Sequence, residues 1–366
     1  MYFCGIFYAN MGIRFFYIYR AIAHYRGMER IFADKINNLI QMYGYDVWLI
    51  TADQGLHPLS YFLDKIAHGV DLDIRFHLAS ESFILRRPFV KIRHLFVKHL
   101  KDLIAQQKSN LLICITDVFT NLVMLSKGMI PSIVESHSIC RQTYKRVGNL
   151  FHRKILRWYT FWNYRHASSL VALTDSGAKE WQKLLCRSYA ITNVVHQNPA
   201  GRISSQSSNR VIFTSHFTQQ KGIPNLLEIW KRVHLHHSDW LLDIYAQGEQ
   251  REVYFPEIKE LEINIQVNDG TPVILNRYCD SSIFVLTSIY EHFMGCGLPV
   301  VSFDCDYGPQ KIVIDSDAGY LVPSGDVEGF AIRIYQLVEN QQLRKIMGWA
   351  GILSSKRYSS EIIMPQ

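Results

Sequence analysis

The chain has 366 residues, 48% of them hydrophobic, and a formal net charge of +7 from 39 Lys or Arg and 32 Asp or Glu residues. That length exceeds what one compact core usually supports, so we expect a two-domain protein. The chain has no apolar run of about 18 residues, the length that spans a membrane, and no signal-peptide pattern at its start. Its 7 cysteines do not have the spacing of a zinc site or of a disulfide framework.

The first half of the chain alternates predicted strands and helices. An apolar, β-branched run at 13–23 predicts a buried first strand, and residues 1–10 before it are either an upstream extension or a short N-terminal arm. Helices are predicted at 31–42 and 89–106, and further strands at 45–51, 111–115, 132–135 and 169–173. Strand after helix after strand indicates a parallel sheet covered on both faces.

The second half repeats the pattern after a Ser-rich stretch, 201–209, that reads as a linker. Strands are predicted at 210–214, 241–245, 283–286 and 300–303, followed by a helix at 327–339. We therefore expect an α/β fold of two Rossmann-like domains whose parallel sheets face a cleft. The predicted boundaries are 11–200 and 210–345, with 346–366 as a partial helix that crosses back to the first domain.

Basic residues are concentrated in two acid-free stretches of the first half. The first runs from 86 to 101, and the second contains seven Lys or Arg residues interleaved with aromatic residues between 136 and 174. One interpretation is a surface that rests on anionic lipid. The other is an ordinary solvated face above an aromatic core. No RNA-binding or DNA-binding motif accompanies the charge, so nucleic acid is not an expected partner.

The region 281–323 carries the most specific pattern in the chain. An apolar strand ends in Thr287-Ser288, the pair Tyr290-Glu291 follows, and a turn leads from Cys296 through Gly297 into the next strand. This arrangement resembles the donor-binding core of family 4 of the retaining nucleotide-sugar glycosyltransferases. The resemblance implies the GT-B fold and a UDP-sugar or GDP-sugar donor with no obligatory metal or other cofactor. It also implies a polysaccharide or lipid-linked glycan acceptor.

By this resemblance, Glu291 stands where the first of two family glutamates contacts the donor sugar, with Tyr290 and Gly297 beside the donor. An alternative register makes Glu291 the second glutamate. Only the 4 residues His292–Gly295 separate Glu291 from Cys296, fewer than in the family, so one glutamate and part of a helix have no counterpart. We expect this shortening to impair the donor site.

A second resemblance lies at 215–222, which follows a predicted strand and precedes a helix. Lys221 and Gly222 match the Lys-Gly of a Gly-Arg-x(4)-Lys-Gly element that grips the donor diphosphate, whereas Ser215 and His216 replace its Gly and Arg. Because Arg is always charged and His is mostly neutral near pH 7, this replacement weakens the expected grip. We predict that His216, Lys221 and Gly222 contact the donor.

On the acceptor side, residues 134–138 read Val-Glu-Ser-His-Ser at the end of a predicted strand. The family has Glu-x-His there, so His137 resembles the residue that faces the reacting sugar and can exchange a proton with a hydroxyl. His137 and Glu291 are the predicted catalytic residues.

Three functional hypotheses follow. The first is a cytoplasmic glycosyltransferase at the inner face of the cell membrane. The second is a degenerate, non-catalytic homologue that binds a ligand or partner without turnover. The third is an unrelated Rossmann-type binding protein, since fold alone does not determine function.

Overall fold

The computed structural model describes residues 12–25, 27–76, 87–115, 118–137, 154, 158–159, 161–183, 187–195, 198, 200–217, 222–248, 250–286, 292–304 and 317–366. The chain divides into two compact units. The first comprises the residues up to His24, Met28–Asn193 and the terminal Gln366, and the second comprises Tyr25–Gly27 and Val194–Pro365. The predicted domain boundaries at 200 and 210 stay a prediction.

The first unit contains a 7-stranded sheet in the order β3-β2-β1-β4-β5-β6-β7. All of its strand pairs are parallel. Its strands are β1 Arg14–Tyr19, β2 Asp46–Thr51, β3 His68–Asp71, β4 Leu111–Ile115, β5 Ser132–Ser136, β6 Ser169–Ala172 and β7 Ser188–Ala190. The order reverses between β1 and β4, which is the switch point of a Rossmann-type sheet.

Among the described residues, four helices connect strands of the first unit: Gly27–Tyr43, Arg87–Gln107, Val118–Ser126 and Asp175–Gln182. Helix Gly27–Tyr43 buries Ile31, Phe32, Ile36 and Ile40, which recur at helical spacing and form one apolar face. Phe32, Ile36 and Ile40 pack with Tyr17, Val47 and other strand residues in one of two clusters in the described part of this unit. The other cluster is built around Phe16, Phe96 and Trp181.

The second unit contains a 6-stranded sheet in the order β10-β9-β8-β11-β12-β13. Its strand pairs are also all parallel. Its strands are β8 Arg210–His216, β9 Leu241–Gln247, β10 Ile265–Asn268, β11 Ile283–Leu286, β12 Val300–Phe303 and β13 Gly319–Val322. Counted from β8, this is the same strand order as in the first unit. The predicted fold class, two parallel α/β sheets, is confirmed.

The helices of the second unit are Ile223–His236, Arg251–Glu260, Ile274–Cys279, His292–Gly295, Val327–Glu339, Gln341–Ser355 and Ser360–Ile363, with a 3-10 turn at Lys356–Tyr358. Helices Ile223–His236 and Val327–Glu339 supply Trp230, Phe330 and Leu337 to the largest cluster of this unit. A second cluster includes Phe284, Met294 and Leu298. The sheet of the second unit is therefore covered by apolar side chains on both faces.

The Ser-rich segment 201–209, which composition marks as a linker, packs within the second unit. Ser204 and Gln206 are buried. The Ser204 hydroxyl donates to the Ser281 carbonyl oxygen, and the Gln206 side-chain amide donates to the Gly297 carbonyl oxygen. Small polar side chains thus serve here as hydrogen-bonding groups in an ordered connection.

Among the described residues, the structure contains no helix that is both long enough and apolar enough to cross a lipid bilayer.

Candidate active site

His137 comes directly after the carboxyl end of β5. In the sheet, β5 is the second strand along from the switch-point strand β1. The end of β5 is held in place by Trp181, whose indole Nε1 donates to Ser136 Oγ over 3.0 Å. Ligands of Rossmann-type sheets bind beyond the carboxyl ends of the strands. The structure therefore places His137 at the sheet edge where the sequence predicted it, and its role in catalysis stays a prediction.

A buried ion pair lies beside His137. Lys35 Nζ donates to Glu135 Oε2 over 2.8 Å, and His137 Nε2 lies 3.3 Å from the same oxygen. The three side chains are 13%, 8% and 7% exposed, respectively. The Tyr17 hydroxyl on β1 is also hydrogen-bonded to Glu135.

Charge and burial set the protonation states in this group. Burial alone raises the pKa of Glu135, but the positive charge of Lys35 and the hydrogen bond from His137 outweigh it and lower the pKa to about 2. Burial is the largest cause of the lowered pKa of His137, and Lys35 adds to it while Glu135 opposes it. Burial and the neighbouring Glu135 raise the pKa of Tyr17. At neutral pH, Glu135 is therefore charged, and His137 and Tyr17 are neutral.

Sequence reasoning missed Lys35 and Tyr17 as part of this group. The available signal is the helical period: Lys35 is three residues after Phe32 and four after Ile31, both buried on helix Gly27–Tyr43. A charged residue at a position that the period assigns to the buried face requires a partner. The sequence could not identify that partner, since Glu135 is 100 residues away.

In the second unit, residues 218–221, which include Lys221, lie outside the described residues. His216 and Gly222 lie on either side of this segment. His216 is the last residue of β8 and is paired in register with Gln247 of β9. Gly222 adopts φ 63° and ψ 32° and precedes helix Ile223–His236, which has Pro224 in its first turn. Only glycine adopts this left-handed conformation at no steric cost, so the backbone conformation explains why glycine occupies position 222. The first backbone N–H groups of such a helix are suited to an anion.

Gly248 shows that the loops after β8 and β9 approach each other closely, a feature that sequence reasoning missed. The Phe217 backbone N–H donates to the Gln247 carbonyl oxygen over 2.7 Å. A Cβ atom on Gly248 would lie 2.7 Å from the Phe217 carbonyl oxygen, so only glycine fits. Gly248 therefore supports the backbone immediately before 218–221.

Gly297 adopts φ 74°, and a Cβ atom there would meet Ile352 Cδ1 at 2.9 Å. Its carbonyl oxygen accepts the hydrogen bond from Gln206. Turn geometry and packing thus account for this glycine, and its predicted contact with the donor stays a prediction. Tyr290 and Glu291 lie outside the described residues. Whether Glu291 corresponds to the first or the second family glutamate therefore stays open.

Asp53 and Gln54, two further polar residues at the sheet edge after β2, have partners within the first unit. Asp53 pairs with Arg20 at 3.2 Å. The Gln54 side chain accepts from the Ile22 backbone N–H and donates to the His57 carbonyl oxygen. These contacts organise the loop. Among the described residues, no three His, Cys, Asp or Glu side chains group in a way that could hold a metal ion.

Comparison with known proteins gives a family match within the second unit. The family model for glycosyl transferases group 1 matches residues 198–353. The chain is 31% identical to the amylovoran biosynthesis glycosyltransferase AmsD of Erwinia amylovora over 191 residues, 48% of this chain and 53% of AmsD. It thus spans about half of the length of that relative. An uncharacterized glycosyltransferase of Haemophilus influenzae is 23% identical over 93% of this chain and 94% of its own.

Residues 198–353 thus resemble the group 1 glycosyl transferases. Among solved structures, a mutant of TarM from S. aureus, in complex with fondaparinux, alpha-GlcNAc-glycerol and UDP, superposes with a TM-score of 0.78 at 15% identity. The match covers 96% of this chain and 98% of that one. At this identity the superposition shows the fold alone, which is GT-B. The predicted fold is confirmed, and the matches bear out the predicted resemblance to glycosyltransferases.

Proposed function

We propose that this protein transfers a sugar from a nucleotide diphosphate sugar to a polysaccharide or lipid-linked glycan acceptor, with retention of configuration at the sugar. One observation carries the proposal: the family match spans 198–353. This range contains every residue that the sequence assigns to the donor, namely His216, Lys221, Gly222, Tyr290, Glu291 and Gly297. His137 is the proposed catalytic residue of the first unit, together with Glu291 in the second.

The leaving group of such a donor is a nucleoside diphosphate, so negative charge grows on phosphate oxygens in the transition state. Lys221 and the N–H groups at the start of helix Ile223–His236 are the proposed groups that stabilise this charge. We favour a UDP-sugar over a GDP-sugar, because the TarM complex contains UDP. The name of AmsD, an amylovoran biosynthesis enzyme, supports a polysaccharide acceptor.

We further propose peripheral contact with the anionic inner face of the cell membrane. On helix Arg87–Gln107, the exposed residues Lys91, His94, Lys98 and Lys101 recur at helical spacing along one face. The helix contacts the aromatic stretch after it, since Arg93 Nη2 donates to Tyr159 Oη over 2.9 Å. Trp158 and Trp162 in that stretch are 67% and 45% exposed. Exposed cations and exposed tryptophans on two segments that contact each other suit a lipid headgroup region.

Turnover and binding measurements test the glycosyltransferase proposal. Purified protein is incubated with UDP-glucose, UDP-N-acetylglucosamine or GDP-mannose and a membrane extract of glycan acceptors, and release of the nucleoside diphosphate is followed. Calorimetry measures affinity for the same donors. Lys221→Ala should weaken donor binding by about 1.5 to 3 kcal/mol, the range for a charge-assisted hydrogen bond. Lys259→Ala, at an exposed position of the second unit, is the control.

The outcomes separate the two main hypotheses. Release of diphosphate that depends on His137 supports the enzyme. Donor binding without release favours the degenerate homologue, for which the shortened segment between Glu291 and Cys296 is the specific observation. Neither binding nor release with any of the three donors would contradict both.

A further inference from the structure

The arrangement of Lys35, Glu135 and His137 determines which imidazole nitrogen of His137 can accept a hydrogen bond from a substrate. Glu135 is a carboxylate, since its pKa lies at about 2, and a carboxylate can only accept hydrogen bonds. His137 Nε2, at 3.3 Å from Glu135 Oε2, must therefore carry the proton of the neutral ring. Its Nδ1 then has a free lone pair.

That lone pair is buried and unused. His137 Nδ1 has no hydrogen-bond partner within the described part of the chain, although its accessible surface is negligible. A buried polar atom without a partner is costly, and native structures retain such atoms mainly where a ligand or water completes the bond. Because His137 follows β5 at the sheet edge that binds ligands, Nδ1 is suited to accept a hydrogen bond from a substrate hydroxyl.

Burial is the largest cause that keeps the ring neutral, and Lys35 adds to it by offsetting the charge of Glu135. An unneutralised carboxylate raises the pKa of a neighbouring imidazole, because it favours the charged ring. Here Lys35 already neutralises Glu135 through the 2.8 Å contact from Nζ, and its charge disfavours a second cation on His137. Within the described part of the chain, Tyr17 from β1 is the other titratable group that faces Glu135, and it is neutral.

We propose that Lys35 and Glu135 are positioning residues for His137: Glu135 holds the ring through Nε2–H, and Lys35 keeps it neutral so that Nδ1 accepts a hydroxyl of the bound sugar. The inference rests on the proposed glycosyltransferase function for the identity of the ligand. The tautomer and charge of His137 in the free protein are independent of that function. The proposed function and the proposed role of Lys35 and Glu135 can therefore be contradicted separately.

The test is nitrogen-15 NMR of the His137 ring in the full chain, with the signal assigned by its loss in His137→Ala. In the wild-type protein, Nε2 should be protonated and Nδ1 unprotonated at pH 7. Lys35→Met should raise the pKa of His137 by about one to two units, because a carboxylate without its cation favours the imidazolium. Lys35→Arg, which keeps the charge, should restore the wild-type titration.

Two further variants serve as controls. Arg14→Met breaks the ion pair with Asp46 on the same sheet, at 2.6 Å, without touching this group, and should leave the His137 signals unchanged. The double variant Lys35→Met/Glu135→Gln keeps the charge balance and protects folding. There we expect a neutral ring that populates both tautomers, since an amide can donate as well as accept.

Turnover supplies a second readout. Lys35→Met should lower kcat at pH 7 by about tenfold, the equivalent of one hydrogen bond, and kcat should recover as the pH rises above the new pKa of His137. An unchanged tautomer and titration in Lys35→Met would overturn the proposal even if kcat fell, because the loss would then be structural. If wild-type protein turns over no donor, the proposed function fails, and the NMR result alone decides the role of Lys35 and Glu135.

Discussion

The guanidinium of Arg344 donates from Nη2 to the Gln206 carbonyl oxygen over 2.8 Å, which links helix Gln341–Ser355 to the Ser-rich segment before β8. Its Nη1 donates to the carbonyl oxygens of Leu337 and Val338 at 2.5 and 2.9 Å, at the end of helix Val327–Glu339. The cation also lies 5.2 Å from the Trp240 ring centre. One buried cation thus satisfies the last carbonyls of a helix and holds an irregular segment against the second unit.

Arg344→Met should lower the free energy of unfolding of the second unit by about 3 kcal/mol, because three buried carbonyl oxygens lose a charged donor. Chemical denaturation followed by Trp240 fluorescence measures the change. Lys345→Met, at the exposed neighbouring position of the same helix, should change the stability by less than about 0.5 kcal/mol. Equal effects of the two substitutions would contradict the assigned role.

Two glycines of helix Gln341–Ser355 are expected to respond oppositely to alanine. A Cβ atom on Gly348 would overlap the Gly297 carbonyl oxygen, whereas one on Gly351 would lie 3.5 Å from Ala318 Cβ, in ordinary contact. Gly351→Ala should therefore be neutral or stabilise by up to about 1 kcal/mol through helix propensity. Gly348→Ala should destabilise by about 2 kcal/mol or more, since backbone must move. Thermal unfolding of both variants tests this, and a stabilising Gly348→Ala would show that the helix does not approach Gly297 so closely.

The low pKa of Glu135 predicts a loss of stability in acid. Its folded-state pKa of about 2 lies below the ordinary value of 4.5, so its contribution is fully present above the ordinary value and is lost as the pH falls towards 2. At about 1.4 kcal/mol per unit, the contribution is on the order of 3 kcal/mol. The lowered pKa of His137 acts in the same direction, because the unfolded chain gains that proton first.

Urea unfolding of the first unit between pH 7 and pH 3 measures this dependence. The double variant Lys35→Met/Glu135→Gln lacks the carboxylate and should show a shallower fall in stability over that range. A fall as steep as that of the wild type would mean that other carboxylates dominate the acid response.

Membrane contact is expected to depend on the exposed lysines of helix Arg87–Gln107. Replacing Lys91, Lys98 and Lys101 by Gln should weaken binding to phosphatidylglycerol vesicles by about 3 kcal/mol, at about 1 kcal/mol per cation near the surface. Added salt should release the wild-type protein from these vesicles, because the attraction is screened. Co-sedimentation gives the affinity.

The matched control replaces Lys259, Lys345 and Lys356, which are exposed on the second unit, and should bind as the wild type does. Trp158→Ala should weaken binding at all salt concentrations, since its contribution is apolar. Equal retention of the wild type on phosphatidylcholine vesicles would exclude an electrostatic surface.

The sequence by itself determined the inner strands of both sheets. It predicted β2, β1, β4, β5 and β6 in the first sheet and β9, β8, β11 and β12 in the second, all of them flanked by strands on both sides. Strands of this kind are buried on both faces and therefore read as continuous apolar runs. The same pattern, with the motifs around Glu291 and Lys221, was enough to indicate the family.

The four strands that the sequence analysis did not predict, β3, β7, β10 and β13, are the edge strands of the two sheets. The first, His-Gly-Val-Asp at His68–Asp71, has no buried residue. Edge strands are short and partly solvated, so pairing with a neighbour specifies them more than their own composition does.

The same division holds in the candidate site. The sequence placed His137 at the end of a strand, because the apolar run 132–135 ends just before it. That Lys35, 100 residues from Glu135, supplies the cation beside this carboxylate is visible only in the tertiary structure. A local pattern reports which face of an element is buried, whereas the partner of a buried charge is a long-range contact that forms only when the helix packs onto the sheet.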